Sequence, residues 1–204
     1  MQLTCLKRGD RGVDVQILQN ALCLIPDGIF GPLTQEAVET FQREHGLTVD
    51  GIAGPKTIAA LGLAGSFVMG KPTSRRIDKI ILHCTATRQG KDYTVDQVRS
   101  WHVDGNGWAD IGYHYLIRLD GTVEDGRPLD KIGAHCTGQN AHSIGISYVG
   151  GLDSDGNPKD TRTPSQRNAM RSLVDYLKRK YGASVHCHNE FANKACPSFK
   201  ISEF

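Results

Sequence analysis

The sequence has no apolar run approaching the ~18 residues of a membrane span, and its N-terminus, MQLTCLKRGDRG, turns polar at once. Neither a spanning helix nor a secretory leader is expected. It also lacks a strong charge of either sign, with a formal net charge of +2 over 204 residues. Residues 1–66 hold 5 Lys and Arg against 7 Asp and Glu, and the remainder holds 19 against 15. That split forms no clustered basic face of the kind nucleic acid requires. Cysteine is sparse, six in all, with no C-x-x-C pair. A disulfide scaffold, a zinc ribbon and a P-C-x-x-C deaminase site are therefore excluded. A Cys5–Cys23 pairing within the N-terminal part stays open, while Cys84, Cys136 and Cys187 read as thiols. What is present is ordinary globular material, 39% hydrophobic and 23% charged. That is enough for one medium domain, or a small domain followed by a medium one.

Residues 5–63 read as a compact helical unit. A first helix over 13–24 places Val15, Leu18, Ala21 and Leu22 on one face. A second over 33–45 turns Ala37, Val38 and Phe41 inward, with Gly46 as its stop. Two segments repeat at an offset of 23 residues, PDGIFGPLTQEAV (26–38) and VDGIAGPKTIAAL (49–61). Each has Asp-Gly for a turn and Gly-Pro to open a helix, and a duplicate at one offset is unlike chance punctuation. Residues 66–75, rich in small residues, Gly and Pro, form the expected linker.

The second part opens on KIILHC, a β-branched strand over 79–84. Alternation puts Ile81 and His83 on one face and Ile80, Leu82 and Cys84 on the other. A helix near 94–103 follows, with Thr94 and Gln97 at capping-box spacing and Val98 and Trp101 inward. Strands are expected over 112–119 and from Thr122, joined by Asp120-Gly121, with Tyr113, Tyr115 and Ile117 sharing a face. Another strand spans 144–149. A last helix over 164–181 has Thr163 as N-cap, Pro164 at its first position, and Ala169, Met170, Leu173, Val174 and Leu177 as its buried stripe. Intermixed strands and helices predict an α/β layer with a mixed sheet.

The chemistry concentrates in HNEFANKACP, 188–197, where an imidazole and a thiol stand eight positions apart. Such a pair suits zinc, but a packed histidine and an inert thiol have the same spacing. His83 at the end of its strand is the third donor that turns the balance. A catalytic zinc site takes three protein ligands and keeps one position open. Taken singly, Lys194 reads as a solvated charge and Tyr113 as a core tyrosine. His102, His114, His142 and His186 carry weaker signals.

Two resemblances add to this reading. The run from LKRGDRGVDVQILQNAL through PKTIAAL resembles the peptidoglycan-binding domain of cell-wall hydrolases, which implies a three-helix bundle over residues 1–65. IILHCTAT, DIGYHYLI, GAHCTGQNAHSIGISYVGG and HNEFANKACPSF, in that order, resemble the zinc-dependent N-acetylmuramoyl-L-alanine amidases over 76–204. The implied fold class is α/β, a mixed-sheet zinc amidase domain preceded by a small three-helix bundle. That resemblance implies one zinc per chain on His83, His188 and Cys196, with Tyr113 and Lys194 catalytic and His135 beside the substrate cleft. Where the family usually has Gly-His-Arg-Asp, this chain reads Cys187-His188-Asn189-Glu190. The implied activity cuts the amide between N-acetylmuramic acid and L-alanine of the stem peptide. Zinc serves such a reaction by lowering the pKa of bound water to ~7 and polarising the carbonyl. The other reading is a protein on the same fold that binds peptidoglycan without cutting it. The remaining expectations are a monomer with peptidoglycan as partner and no nucleic-acid or membrane partner. Synthesis in the cytoplasm would be followed by action on the wall after release, as for a phage endolysin, or after export as an effector.

Overall fold

The computed structural model describes residues 5–61, 63 and 73–204. Its N-terminal part carries three helices, α1 Val13–Ala21, α2 Pro32–Glu44 and α3 Pro55–Ala60. α2 and α3 start alike, with an extended Gly followed by Pro, whose missing N–H removes no helical bond at that position. α1 ends earlier than the periodicity predicts, because Cys23 takes a φ of 57° and turns the chain back. Val15, Leu18 and Val38 are buried, whereas Ala21, Leu22, Ala37 and Phe41 are only half-buried. The remaining inward places on α2 go to Thr34 and Gln42.

Those polar residues brace the repeat. Gln19 Nε2 lies 2.8 Å from Asp27 Oδ1, 3.0 Å from Ile29 O and 2.9 Å from Thr34 Oγ1. Its Oε1 accepts the Gly28 N–H at 2.9 Å. Twenty-three residues on, Gln42 Nε2 meets Asp50 Oδ1, Ile52 O and Thr57 Oγ1 at 2.8, 2.9 and 3.0 Å, and its Oε1 accepts the Gly51 N–H at 3.0 Å. One buried amide thus replaces the hydrogen bonds that each turn gives up on leaving regular structure. Gly28 and Gly51 hold φ near +70° at these turns (+74° and +68°), a region that favours glycine.

Seven strands follow in the second part: β1 Lys79–Cys84, β2 Thr87–Arg88, β3 Tyr115–Ile117, β4 Val123–Asp125, β5 Ser143–Tyr148, β6 Gly151–Leu152 and β7 Ser184–Cys187. Five form a mixed sheet in the order β4-β3-β5-β1-β7. All its pairs are parallel except β3 with β4, while β2 and β6 make a separate parallel pair. β5 is buried throughout, and β1 everywhere but its first residue, as central parallel strands are. The helix α5 Pro164–Tyr181 starts at a Thr163 capping box and stops at Gly182 in the left-handed region, matching its expected bounds. Its Ala169, Met170, Leu173, Val174 and Leu177 cover the face made by Ile80, Leu82, Ile144 and Ile146. Truncating a fully buried Leu82 or Ile146 to Ala costs about 2–5 kcal/mol. The opposite face takes a smaller cluster of Val98, Ile111, Leu116 and Val149 and is where the histidines gather.

Two expectations need correction. The helix α4 Val95–Ser100 has its capping box but passes into a wider π-turn over Trp101–Gly105. That change of period leaves Trp101 40% exposed and edge-on to Tyr93 instead of inward. β3 begins only at Tyr115, because Gly112 and Tyr113 bond to loops: Ala134 N–H donates to Gly112 O and Arg127 N–H to Tyr113 O. Without strand alternation there, Tyr113 joins Leu116, not Tyr115 and Ile117. Residues 66–72 of the expected linker lie outside the described residues, and Arg75 near its end is held against the second part. Its guanidinium donates to the carbonyls of Leu129, Asn140, Ala141 and Ser143 at 2.9–3.1 Å. Cys5 and Cys23 are exposed free thiols.

His114 ties β3 to β5. The ring is 1% exposed, Nδ1 accepts the Gly145 N–H at 3.0 Å, and Nε2 donates to Lys131 O at 3.1 Å. Burial, with lesser effects from Arg75 and Arg127, holds the imidazole down at about 4, against ~6.5 unfolded. The unfolded chain therefore takes up more protons between these values. The contribution of the neutral ring is complete above ~6.5 and is lost as pH falls toward about 4. Asp125, raised by burial to about 6, works in the opposite sense, so a difference measurement is needed. Thermal melts of the parent and His114→Gln chains are expected to converge by up to ~3 kcal/mol between about pH 7 and pH 4; a pH-independent gap would refute this role.

Candidate metal centre

β1 lies between β5 and β7, and His83 next to its end stands opposite Ser147 in the register. Paired on both sides, the strand fixes the Cα of His83 and sends its side chain to the face away from α5. β7 runs straight into a 3-10 turn, His188–Glu190. Glu190 closes that turn by accepting the Cys187 N–H at 2.6 Å and meeting His186 Nδ1 at 2.8 Å. So Glu190, one of the three residues that depart from the motif the resemblance implies, helps to fix the turn that carries His188. Cys196 arrives on the following loop, its Sγ accepting the Cys84 N–H at 3.3 Å.

These three side chains converge. The donor atoms of His83, His188 and Cys196 all lie within 4.8 Å of one another, and Cys196 Sγ is 3.7 Å from His83 Nδ1. Ligand atoms on one tetrahedral zinc stand about 3.3–3.8 Å apart, given Zn–N and Zn–S bonds of ~2.0 and ~2.3 Å. Burial lowers His83 well below the ordinary imidazole value, helped by His135, His188 and Lys194; burial and Lys194 lower His188 as well. Both rings are thus neutral near pH 7, the state in which an imidazole can coordinate. The adjacent Cys84 thiol and burial push the Cys196 thiol up, so its ligating form needs a cation beside it. Two neutral imidazoles and one thiolate-capable sulfur make a donor set that fits zinc. Cys84 stays outside it, with Sγ 4.0 Å from Ser198 Oγ, as strand alternation predicts.

The other expected residues divide. Tyr113 is half-buried, its ring 5.3 Å from that of His83 and 5.4 Å from that of His102. Burial pushes its phenol up; the buried Ser147 hydroxyl beside it makes no full hydrogen bond and offsets only part of the rise. Tyr113 therefore keeps its proton at neutral pH. Lys194 is exposed, yet close enough for its charge to depress both His83 and His188. His135, expected at the substrate cleft, is 7% exposed and stands behind His83. Its Nδ1 is 3.0 Å from His83 Nε2, and its Nε2 is 3.3 Å from Ser143 Oγ. With both nitrogens engaged, the ring has nothing left to offer a substrate. His102, a weaker candidate in the sequence, accepts the Gly112 N–H on Nδ1 at 3.1 Å; no motif marks it.

Comparison with known proteins decides what this centre belongs to. The family described as N-acetylmuramoyl-L-alanine amidase matches residues 73–199, over half the chain. The chain belongs to that amidase family. A second family, described as putative peptidoglycan binding domain, matches residues 11–61. The endolysin of Klebsiella phage KP32 is 46% identical over 127 residues, 62% of this chain and 83% of the phage protein. That of Escherichia phage T7 is 44% identical over 128 residues, 62% and 84% of the two chains. Among solved structures, the N-acetylmuramoyl-L-alanine amidase LysC of Clostridium intestinale URNW superposes with a TM-score of 0.55 at 30% identity. It covers 66% of this chain and 87% of its own. The amidase hydrolyses peptidoglycan at the amide joining N-acetylmuramic acid to L-alanine. The alternative of a protein that only binds the polymer is thereby set aside.

Cys196→Ser in this amidase replaces a thiolate by a neutral hydroxyl, a far poorer ligand. After dialysis against a chelator and refilling with one equivalent of zinc, the variant is expected to retain little metal while the parent retains about one per chain. Equal zinc content by elemental analysis would remove Cys196 from the ligand set.

Proposed function

We propose that one zinc ion, held by His83, His188 and Cys196, makes this chain a zinc-dependent amidase in which Tyr113 and Lys194 are the catalytic side chains. The convergence of the three donor atoms within 4.8 Å is the observation that carries this reading. When bound, zinc supplies an activated water at neutral pH and Lewis-acid polarisation of the scissile carbonyl. The protein's own residues do the rest. Lys194, two positions before Cys196, brings a positive charge to the mouth of the site, where it offsets the charge developing on the carbonyl oxygen. Tyr113, kept protonated by burial, donates a hydrogen bond that orients the attacking oxygen or the carbonyl. His135 is a positioning residue. By accepting from His83 Nε2 and donating to Ser143 Oγ, it keeps the His83 Nδ1 lone pair turned toward Cys196.

Residues 1–65 form a peptidoglycan-binding three-helix bundle, residues 66–75 a linker and residues 76–204 the catalytic unit, with Arg75 clipping the linker's end to that unit. The protein acts as a monomer on the wall polymer after release, in the manner of the phage endolysins it resembles. No helix among the described residues is long and apolar enough to cross a membrane.

Lys194→Ala and Tyr113→Phe test the catalytic assignments. Each is expected to hold zinc like the parent while hydrolysis of a soluble muropeptide falls ~10²–10³-fold, the usual loss of one transition-state donor. Parent-like turnover would return that residue to a surface or packing role, and loss of zinc would make it structural.

A further inference from the structure

The N-terminal repeat extends beyond its hydrogen bonds to two cavities. The first, of about 400 Å³, is lined by Gln19, Leu24, Asp27, Ile29, Pro32 and Thr34. The second, of about 330 Å³, is lined by Gln42, Leu47, Asp50, Ile52, Pro55 and Thr57. Every residue of one set lies 23 positions from its counterpart, and the Gln-Asp-Thr bracing recurs behind both, with one added bond from the Asp50 N–H to Gln42 Oε1. In each cavity one carboxylate oxygen, Oδ1, is used internally, accepting from the glutamine and from the Ile29 or Ile52 N–H. The exposed aspartate leaves Oδ2 without a hydrogen bond among the described residues. Hydrogen bonds from Gln19 and Ile29, and from Ile52 and Gln42, hold both carboxyls below their usual range. Each cavity therefore offers an anionic acceptor beside a wall of aliphatic side chains and a proline. The rims differ: Ile25 and Leu33, 86% and 75% exposed, stand where the second cavity has Thr48 and Lys56.

An acceptor next to an apolar wall suits a neutral sugar, which brings hydroxyl and acetamido N–H donors on one edge and C–H or methyl surface on a face. Carboxylates of a stem peptide meet the free Asp27 and Asp50 oxygens with like charge instead. A duplicated site is matched by a ligand that repeats along one strand.

We propose that the two cavities are equivalent subsites for N-acetylated sugar units of a single glycan strand, so that the N-terminal unit holds its polymer bivalently. This rests on the reading that residues 1–65 bind peptidoglycan. Holding a strand at two points turns the second contact into an intramolecular one and raises avidity without a new kind of contact.

The test uses the full chain and oligomers of N-acetylglucosamine, which carry neither stem peptide nor scissile amide. A six-unit oligomer is expected to bind at least about tenfold more tightly than a two-unit one. Asp27→Asn or Asp50→Asn, which keeps Oδ1 and replaces the free oxygen by a donor, should each reduce the long oligomer to the affinity of the short one. The double variant should bind neither. Leu33→Ser and Lys56→Ser, on the exposed rims, give a second pair that leaves the bracing intact. Hydrolysis of a soluble muropeptide should stay at the parent rate in all of them. Unchanged oligomer binding in both pairs would overturn the proposal, as would loss in only one cavity, or capture of a free stem peptide with no affinity for the oligomers. A matching fall in soluble muropeptide hydrolysis would count instead against the separation of binding and catalytic units.

Discussion

The contact from His83 Nε2 to His135 Nδ1, 3.0 Å long and out of reach of water, is what the rest of the catalytic part depends on. A neutral imidazole carries one N–H, and the partner of that N–H decides which nitrogen is left with a lone pair. In the proposed site, an acceptor against Nε2 leaves Nδ1, the atom 3.7 Å from Cys196 Sγ, with the lone pair. The same contact requires His135 to donate from its other nitrogen, and Ser143 stands there at 3.3 Å. Ser143 is the first residue of β5, paired with Lys79 in the register, so the sheet itself ends the chain of tautomers. Gly133 and Gly145 complete the arrangement, since a Cβ at either would come within 2.5 Å of the His135 ring.

The two parts of the chain place polar groups by the same means. In the catalytic part buried imidazoles bridge strand and loop; in the N-terminal part buried amides bridge helix and turn. Gln19 and Gln42 are almost wholly enclosed, 2% and 1% exposed, where an unsatisfied amide is costly. Both are fully satisfied, so each holds its turn in one geometry. The small helices need this help. None of α1, α2 and α3 has a side-chain N-cap, and α3 has only 6 residues, too few to persist on propensity alone.

What was legible in the sequence follows from how local the determinant is. α5 was readable because its cap, first-turn proline and apolar stripe all lie in or next to the helix itself. The convergence of His83, His188 and Cys196 was readable because a buried strand end and a short His-to-Cys loop constrain their own residues. Trp101 and Tyr113 were placed on the wrong faces because each inference extended a period past the point where the backbone leaves it, one into a π-turn and one ahead of β3. The resemblance put His135 beside the cleft, and nothing near it in sequence shows that His83, 52 residues earlier, meets one of its nitrogens. The repeat was visible as Asp-Gly-Ile and Gly-Pro, but its braces were not. Gln19 and Gln42 each stand eight residues before their aspartate, a spacing with no meaning until helix and turn are folded together.

The metal centre must also reconcile two opposed electrostatic demands. Its imidazoles have to be neutral to coordinate, which favours burial, whereas a side chain that steadies developing negative charge has to be cationic, which favours water. The fold separates the two by depth: His83 is 1% exposed and His188 9%, while Lys194 sits on the exposed loop between His188 and Cys196. The separation is small enough for them to act on each other. The Lys194 charge is among the causes that depress both His83 and His188, so the same cation resists protonation of both imidazoles. A neutral residue at 194 would remove both effects together, whereas a change at Tyr113 would leave the ligands' protonation untouched. On the proposed reading one cation serves both demands, which gives the place of Lys194 two residues before Cys196 a physical reason.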